Sequence, residues 1–440
     1  MDVRLTRFFN SGGFVRLAIS TKKSYTADYR VLLNFLWARG IPWAETTQED
    51  FEDFEDWRRR SPENPRRVSG AKWGRELAAF KRLFDWAANE RILPSSPLAV
   101  RSRFLPSGRV VEVLEAAPRD VRSANVKWLT PDAFVQWRDV GLRGYTAEGL
   151  RAHDWRGRND DRNSLFADLL FDSGLRRTEA SSLLLAELPR LATGSAFQWS
   201  NVSQAVSKSR RRRAFNMRTS TLRAVQTYVN TTRAEAVRRG QARGLYTEGR
   251  AMRVVLRITD GYRQDVTWRD PSGTEHREAI NNLSVAERQT FLIEKNGSLE
   301  PWWLWLSESG EPFQVESWEN VFRAANVRAR DLIGEGAPFC RPHMLRHTFA
   351  LLMLVALMRA MDDRYGLSPA ERRDFEMLYG DPWRLVQNLL GHRDAKTTED
   401  IYLAPVSDIQ LRTLLQHQAE PAEFLWAHAL RTGLVQGMKS

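Results

Sequence analysis

A ten-residue apolar run, Phe349–Met358, sits directly behind the polar segment Pro342-His343-Met344-Leu345-Arg346-His347, and this pairing limits the fold more than any other feature. Such a run is about half of a membrane span, so it belongs in a protein core. Proline suits a first helical turn, and helical spacing puts His343, Arg346 and His347 on one face. Leu345, Phe349 and Leu352 take the opposite side. One helix therefore carries core on one flank and converging polar groups on the other.

The rest of the chain supplies a core of that size. Its 440 residues include 16 Trp and 21 Phe, which suits two domains and excludes a disordered or collagen-like chain. Residues 1–20 have no signal-peptide core, and the single cysteine, Cys340, excludes a disulfide framework or a multi-cysteine metal site. Cys340 reads as a packing residue, and a reducing interior without membrane insertion is expected. Lys and Arg total 66 against 54 Asp and Glu, a net charge of +12, and 57 of the cations are Arg. Arginine grips phosphate through two parallel hydrogen bonds, so a polyanionic partner is the first expectation. Surface solvation is the alternative that composition leaves open.

Patterning divides the chain. Tyr25, Tyr29, Leu32, Leu33 and Leu36 recur at helical spacing, with Lys22, Lys23 and Arg30 on other faces. A second amphipathic helix carries Leu77, Phe80, Phe84 and Ala87, with Arg75, Lys81 and Arg82 interleaved, and stops before Pro94 and Pro97. Residues 21–104 thus read as a small basic helical domain behind a 1–20 extension, and 105–127 as a linker. Thr130-Pro131-Asp132 opens a larger, mostly helical region. Two of its segments look extended: Phe197–Met217, a hairpin bent around Lys208 and followed by Arg210, Arg211, Arg212 and Arg213, and Val254–Trp268.

The polar helix face has company elsewhere. Ser173-Gly174-Leu175-Arg176 closes an apolar helix, with Glu179 three residues on, where it can alternatively pair with Arg177. Leu390-Gly391-His392 is a helix end with a glycine cap, Thr397-Thr398-Glu399-Asp400 a new helix start, and Tyr402 lies just inside it. Two His four apart also suit a zinc protease, but that needs Glu after the first, and Met344 stands there. No metal site is expected.

Taken in order, these segments resemble the tyrosine recombinase (phage integrase) family of DNA breaking and rejoining enzymes, over most of the chain. The resemblance implies a mainly α fold: an all-α, SAM-like core-binding domain at 21–104, and a mostly helical catalytic domain with a small antiparallel sheet at 128–406. Insertions fall near 250–295 and 360–380, and a helical 407–440 segment would exchange between subunits. It also implies the roles. Arg176 and Arg346 hold the scissile phosphate, with His392 bonding it; His343 helps with the proton, Lys208 protonates the leaving oxygen, and Tyr402 is the nucleophile. Glu179 and His347 orient these groups.

No cofactor is implied. The partners are double-stranded DNA, contacted through Lys22, Lys23, Arg30, Arg75, Lys81, Arg82 and Arg210 to Arg213, and three further copies in a tetramer on DNA, with a monomer off it. Accessory DNA-bending or directionality proteins, no membrane, and the cytoplasm of a bacterial or mobile-element host complete the expectation. Integration, Xer-like resolution and transposition stay open.

Paired guanidiniums suit a reaction that concentrates charge on phosphate oxygens. A phenol of ordinary pKa near 10 costs about 4 kcal/mol to ionise at neutral pH, so a base or neighbouring cations must offset that. One departure stands out. The interval from Thr398 to Tyr402 is one residue longer than the family's, which turns a helix by about 100° and would swing the ring sideways. A DNA-binding protein that has lost cleavage is therefore the alternative.

Overall fold

The computed structural model describes residues 2–104, 110–118, 127–247, 252–259, 264–363, 381–392, 398, 399, 401 and 402. Expectations for the interior of the linker, the 360–380 insertion beyond residue 363, Thr397, Asp400 and the 407–440 segment lie outside these residues. Two units emerge, Met1–Asn125 and Val126–Ser440.

The first unit is built on aromatic helices. Helices α1 (Val3–Phe9), α2 (Gly12–Val15), α3 (Ile19–Ala38), α4 (Gln48–Arg59) and α5 (Gly70–Asn89) enclose Tyr29, Phe54, Trp73, Phe80 and Phe84. Burial of each such ring stabilises by roughly 1.5–3 kcal/mol. A reciprocal Thr47–Asp50 capping box starts α4, and the Tyr29 hydroxyl donates to the Ala79 carbonyl at 2.9 Å. Residues 3–15 correct the reading of an extension: Phe8 and Phe14 are buried in this same core. Helices of seven and four residues are too short to show a periodicity. Strands β1 (Val100–Phe104) and β2 (Val110–Leu114) pair antiparallel, so the valine-rich start of the linker region is a hairpin.

In the second unit, Thr130 caps α6 (Pro131–Arg143) as the sequence predicts, its hydroxyl accepting from the Ala133 N–H. Helix α7 (Asp160–Ser173) is followed by α8 (Arg177–Ser181) and by the hairpin β3 (Phe197–Val202) and β4 (Arg213–Arg218), in register from Phe197↔Arg218 to Val202↔Arg213. After α9 (Thr219–Asn230) and α10 (Thr232–Ala242) come β5 (Arg253–Ile258), β6 (Asp265–Arg269), β7 (Glu275–Ala279), α11 (Val285–Arg288), β8 (Phe291–Lys295) and β9 (Ser298–Pro301). These strands form one sheet in the order β7-β6-β5-β8-β9. The expected sheet is antiparallel except where β5 and β8 run parallel, which the crossover through β6, β7 and α11 permits.

Helix α12 (Ser317–Ile333) packs on α6, and α13 (Pro342–Asp363) packs on α7 and on α14 (Pro382–Leu390). Trp302, Trp303, Trp305 and Trp318 fill the centre of this unit. Arg233 and Arg288 are buried there too, bonded to backbone carbonyls and to Glu300 and Glu187 respectively. Among the described residues no helix is long and apolar enough to cross a membrane.

Candidate active site

Three helix ends meet around one arginine. Helix α7 ends at Gly174 (φ 60) and α14 at Gly391 (φ 65), both in the left-handed conformation that favours glycine. A Cβ at Gly174 would also lie 2.3 Å from the Phe349 ring. Helix ends leave carbonyls without partners, and Arg346, from the first turns of α13, supplies donors. Its Nη1 donates to the Gly174 carbonyl at 2.6 Å and its Nη2 to the Leu390 carbonyl. The side chain is 1% exposed, and burial with Arg176 and Arg213 nearby pushes its pKa down to about 9. Among the described residues two of its five N–H groups are thus engaged.

Arg176, at the start of α8, is tied to a buried carboxylate. Glu179 Oε1 accepts from Arg176 Nη1 at 3.0 Å, and Oε2 accepts from the Arg176 backbone N–H at 2.8 Å and from Arg213 Nη2 at 2.5 Å. Arg177 pairs with Glu319 instead, so the surface Glu179–Arg177 alternative does not form. Arg213, expected to contact DNA with its basic neighbours, is instead turned inward onto Glu179: its side chain is only 7% exposed.

The histidines and the tyrosine form a chain of contacts. His343 and His347 lie one turn apart on α13 with ring centroids 4.4 Å apart. His347 Nδ1 is 2.8 Å from the Tyr402 hydroxyl, and His392 Nδ1 is 2.9 Å from the Thr398 hydroxyl. Desolvation, with His343 and Arg346 alongside, lowers His347 to about 4; desolvation and the surrounding arginines do the same for His392. The pKa of His343 is lowered too, by desolvation first and then by Arg346, Arg176 and Lys208. These imidazoles are therefore neutral near pH 7. Tyr402 is 1% exposed among Phe349, Leu354 and Leu390, and burial raises its phenol to about 12 against the opposing pull of Arg346 and Arg176. The sideways displacement considered for it does not separate it from the polar face of α13.

Lys208, in the loop between β3 and β4, is exposed and lines a pocket of about 740 Å³ with Arg176, His343 and Arg346. Tyr402 and His392 are not among the lining residues. The lining also includes Arg323 and Arg330 of α12, which the sequence reading did not mark. Their spacing of seven on one helix face was the available signal. Arg210 and Arg211 are exposed and Arg212 half-buried in the same loop as Lys208.

In the first unit, Lys23, Arg30, Lys81 and Arg82 are exposed and Lys22 is half-buried. Lys81 pairs with Asp85 and Arg82 donates to the Gly13 carbonyl. Arg75 is committed to the buried Asp28.

Guanidiniums, a lysine, neutral imidazoles and a phenol in one unit make a class of site with the chemistry to hold an oxyanion and to present a phenol oxygen beside a proton acceptor. No protein-family model and no curated protein matches the sequence. Among solved structures the chain is similar to XerA recombinase, at 15% identity over 95% of this chain and 100% of that one, with a TM-score of 0.34. It is similar to XerH site-specific recombinase bound to palindromic difH substrate, at 12% identity over 86% and 74%, TM-score 0.42. It is also similar to the Tn1549 transposon integrase in complex with a circular intermediate DNA, at 14% identity over 94% and 98%, TM-score 0.49.

Proposed function

We propose that the protein is a tyrosine-type site-specific DNA recombinase, serving a mobile element as its integrase. The observation that carries this reading is the common setting of Arg176, Arg346, Lys208 and His343 in one pocket, with Tyr402 held on His347 in the same unit. The Tyr402 oxygen attacks the phosphorus while its proton passes to His347 Nδ1, which holds the hydroxyl in place of the His343 expected from the resemblance, and the 5′ oxygen departs with a proton from Lys208. A 3′-phosphotyrosyl ester results, and reverse attack by a 5′ hydroxyl rejoins the strand. Free phenolate at pH 7 would cost roughly 7 kcal/mol from a pKa of about 12. Transfer to His347 during attack replaces that state by an imidazolium, which from a pKa of about 4 costs roughly 4 kcal/mol at pH 7.

Arg176 and Arg346 stabilise the charge that builds on the non-bridging oxygens in a water-poor setting. DNA would be gripped along Arg323, Arg330, Arg210 and Arg211 here and along Lys22, Lys23, Arg30, Lys81 and Arg82 of the first unit, with protomers acting in a tetramer. The test is incubation with a nicked suicide duplex that traps the covalent intermediate. Wild type should give an adduct that Tyr402→Phe lacks; DNA binding with no adduct from wild type selects a cleavage-deficient DNA-binding protein. Affinity should also fall steeply with salt as phosphate contacts release counterions.

A further inference from the structure

Arg213 does not behave like the other buried arginines of this unit. Arg233, Arg288 and Arg346 all donate to backbone carbonyls, as structural arginines do. Among the described residues the Arg213 side chain has one hydrogen-bond partner, the carboxylate of Glu179, while its buried Nε and Nη1 have none. Buried donors without acceptors are uncommon in folded proteins and call for an explanation. The side chain passes so close to the α14 cap that a Cβ on Gly391 would fall 2.7 Å from its Cδ and 2.8 Å from its Nε. It thus lies between the Gly391-His392 turn and the Glu179 carboxylate that holds Arg176.

Glu179, 1% exposed, is within bonding distance of both guanidiniums, and interactions between buried charges are weakly screened. Paired with Arg176 alone, the carboxylate would make a neutral pair, a poor receptor for an anion. Shared with Arg213, it leaves one net positive charge in the trio.

We propose that Arg213 is a positioning residue of this site: by sharing Glu179 it stops the carboxylate from neutralising Arg176, so that Arg176 keeps its charge for the phosphate. This rests on the recombinase reading for the identity of the anion, but it concerns the anion site itself.

Two readouts on the full chain separate the ideas. The first is inorganic phosphate binding, followed through the NMR signals of ¹³C-labelled histidines; the second is adduct formation with a nicked duplex. Arg213→Gln should weaken phosphate binding about tenfold, whereas Arg213→Lys, which keeps a counter-charge and guards against a folding defect, should stay within about threefold. The decisive variant is the double Arg213→Gln/Glu179→Gln. Removing the unshared carboxylate should restore affinity to within about threefold of wild type, a recovery that a packing role cannot produce. A double variant that binds no better than Arg213→Gln, or an Arg213→Lys that binds as poorly, overturns the proposal. The same recovery without any wild-type adduct upholds Arg213 and sinks the recombinase reading. An adduct without recovery does the reverse, and histidine signals that ignore phosphate in wild type remove the anion site on which both rest.

Discussion

The hydroxyl of Tyr402 and Nδ1 of His347 stand 2.8 Å apart, and the phenol is 1% exposed. With the hydroxyl donating, the imidazole carries its own proton on Nε2 and is ready to accept another. Because His347 is held near 4, it is unprotonated at neutral pH. Under the proposed chemistry His347→Leu should slow adduct formation about 100-fold at pH 7 without weakening DNA binding. Tyr402→Phe should abolish the adduct while changing unfolding free energy by only about 1 kcal/mol, the worth of one hydrogen bond. Wild-type cleavage rates in His347→Leu would reassign the proton to another acceptor.

The same two depressed histidines make stability depend on acid. His347 and His392 titrate near 4 when folded against an ordinary 6.5, so between those values the unfolded chain binds more protons. Their contribution is fully present above about pH 6.5 and is lost as pH falls toward 4. Allowing for solvent screening, each should account for about 1–2 kcal/mol. Melting temperatures at pH 7.5 and 4.5 should therefore differ less in a His347→Gln/His392→Gln variant than in wild type; an unchanged difference would contradict the assignment.

Gly174→Ala tests the close approach beneath Arg346. The residue has φ 60 and its new methyl would meet the Phe349 ring at 2.3 Å, so a cost of about 2–4 kcal/mol is expected in urea unfolding. Adding Phe349→Leu should recover the steric part and leave the backbone part.

Arg288 is fully buried, and it joins Glu187 to the carbonyls of Ser182, Ile280 and Leu283. It therefore ties the segment after α8 to the segment that follows β7. Arg288→Met strands the Glu187 carboxylate and should destabilise by about 3–5 kcal/mol; adding Glu187→Met should recover much of that loss.

If Lys208 protonates the departing oxygen, Lys208→Ala should cut cleavage of an ordinary duplex about 100- to 1000-fold. A duplex carrying sulfur at the 5′ bridging position needs no such proton, and on it the variant should approach the wild-type rate. A defect of equal size on both substrates would give Lys208 a binding role.

What was legible in the sequence is what local chemistry determines. Pro342 and the spacing of His343, Arg346 and His347 foretold α13 and its polar face, and Gly174 and Gly391 foretold the ends of α7 and α14. The hairpin bent around Lys208 was legible in the extended look of Phe197–Met217. Pairings across the chain were not legible. Glu179 has Arg213 as a partner 34 residues on rather than its neighbour Arg177, and Tyr402 meets a histidine 55 residues earlier. Counting residues after Thr398 suggested a sideways ring because the count fixes a side chain's angle about its own helix and not that helix's rotation against α13. Phe8 and Phe14 were missed for a related reason: their burial is decided by α3 and α5, not by their own short segments.

Arg346 clamps the ends of two helices through the Gly174 and Leu390 carbonyls while it faces the pocket. On the proposed function, architecture and chemistry are vested in one side chain. A lineage that abandoned strand cleavage would still be obliged to keep it, so its presence in a distant homologue certifies the scaffold and is no licence to infer activity.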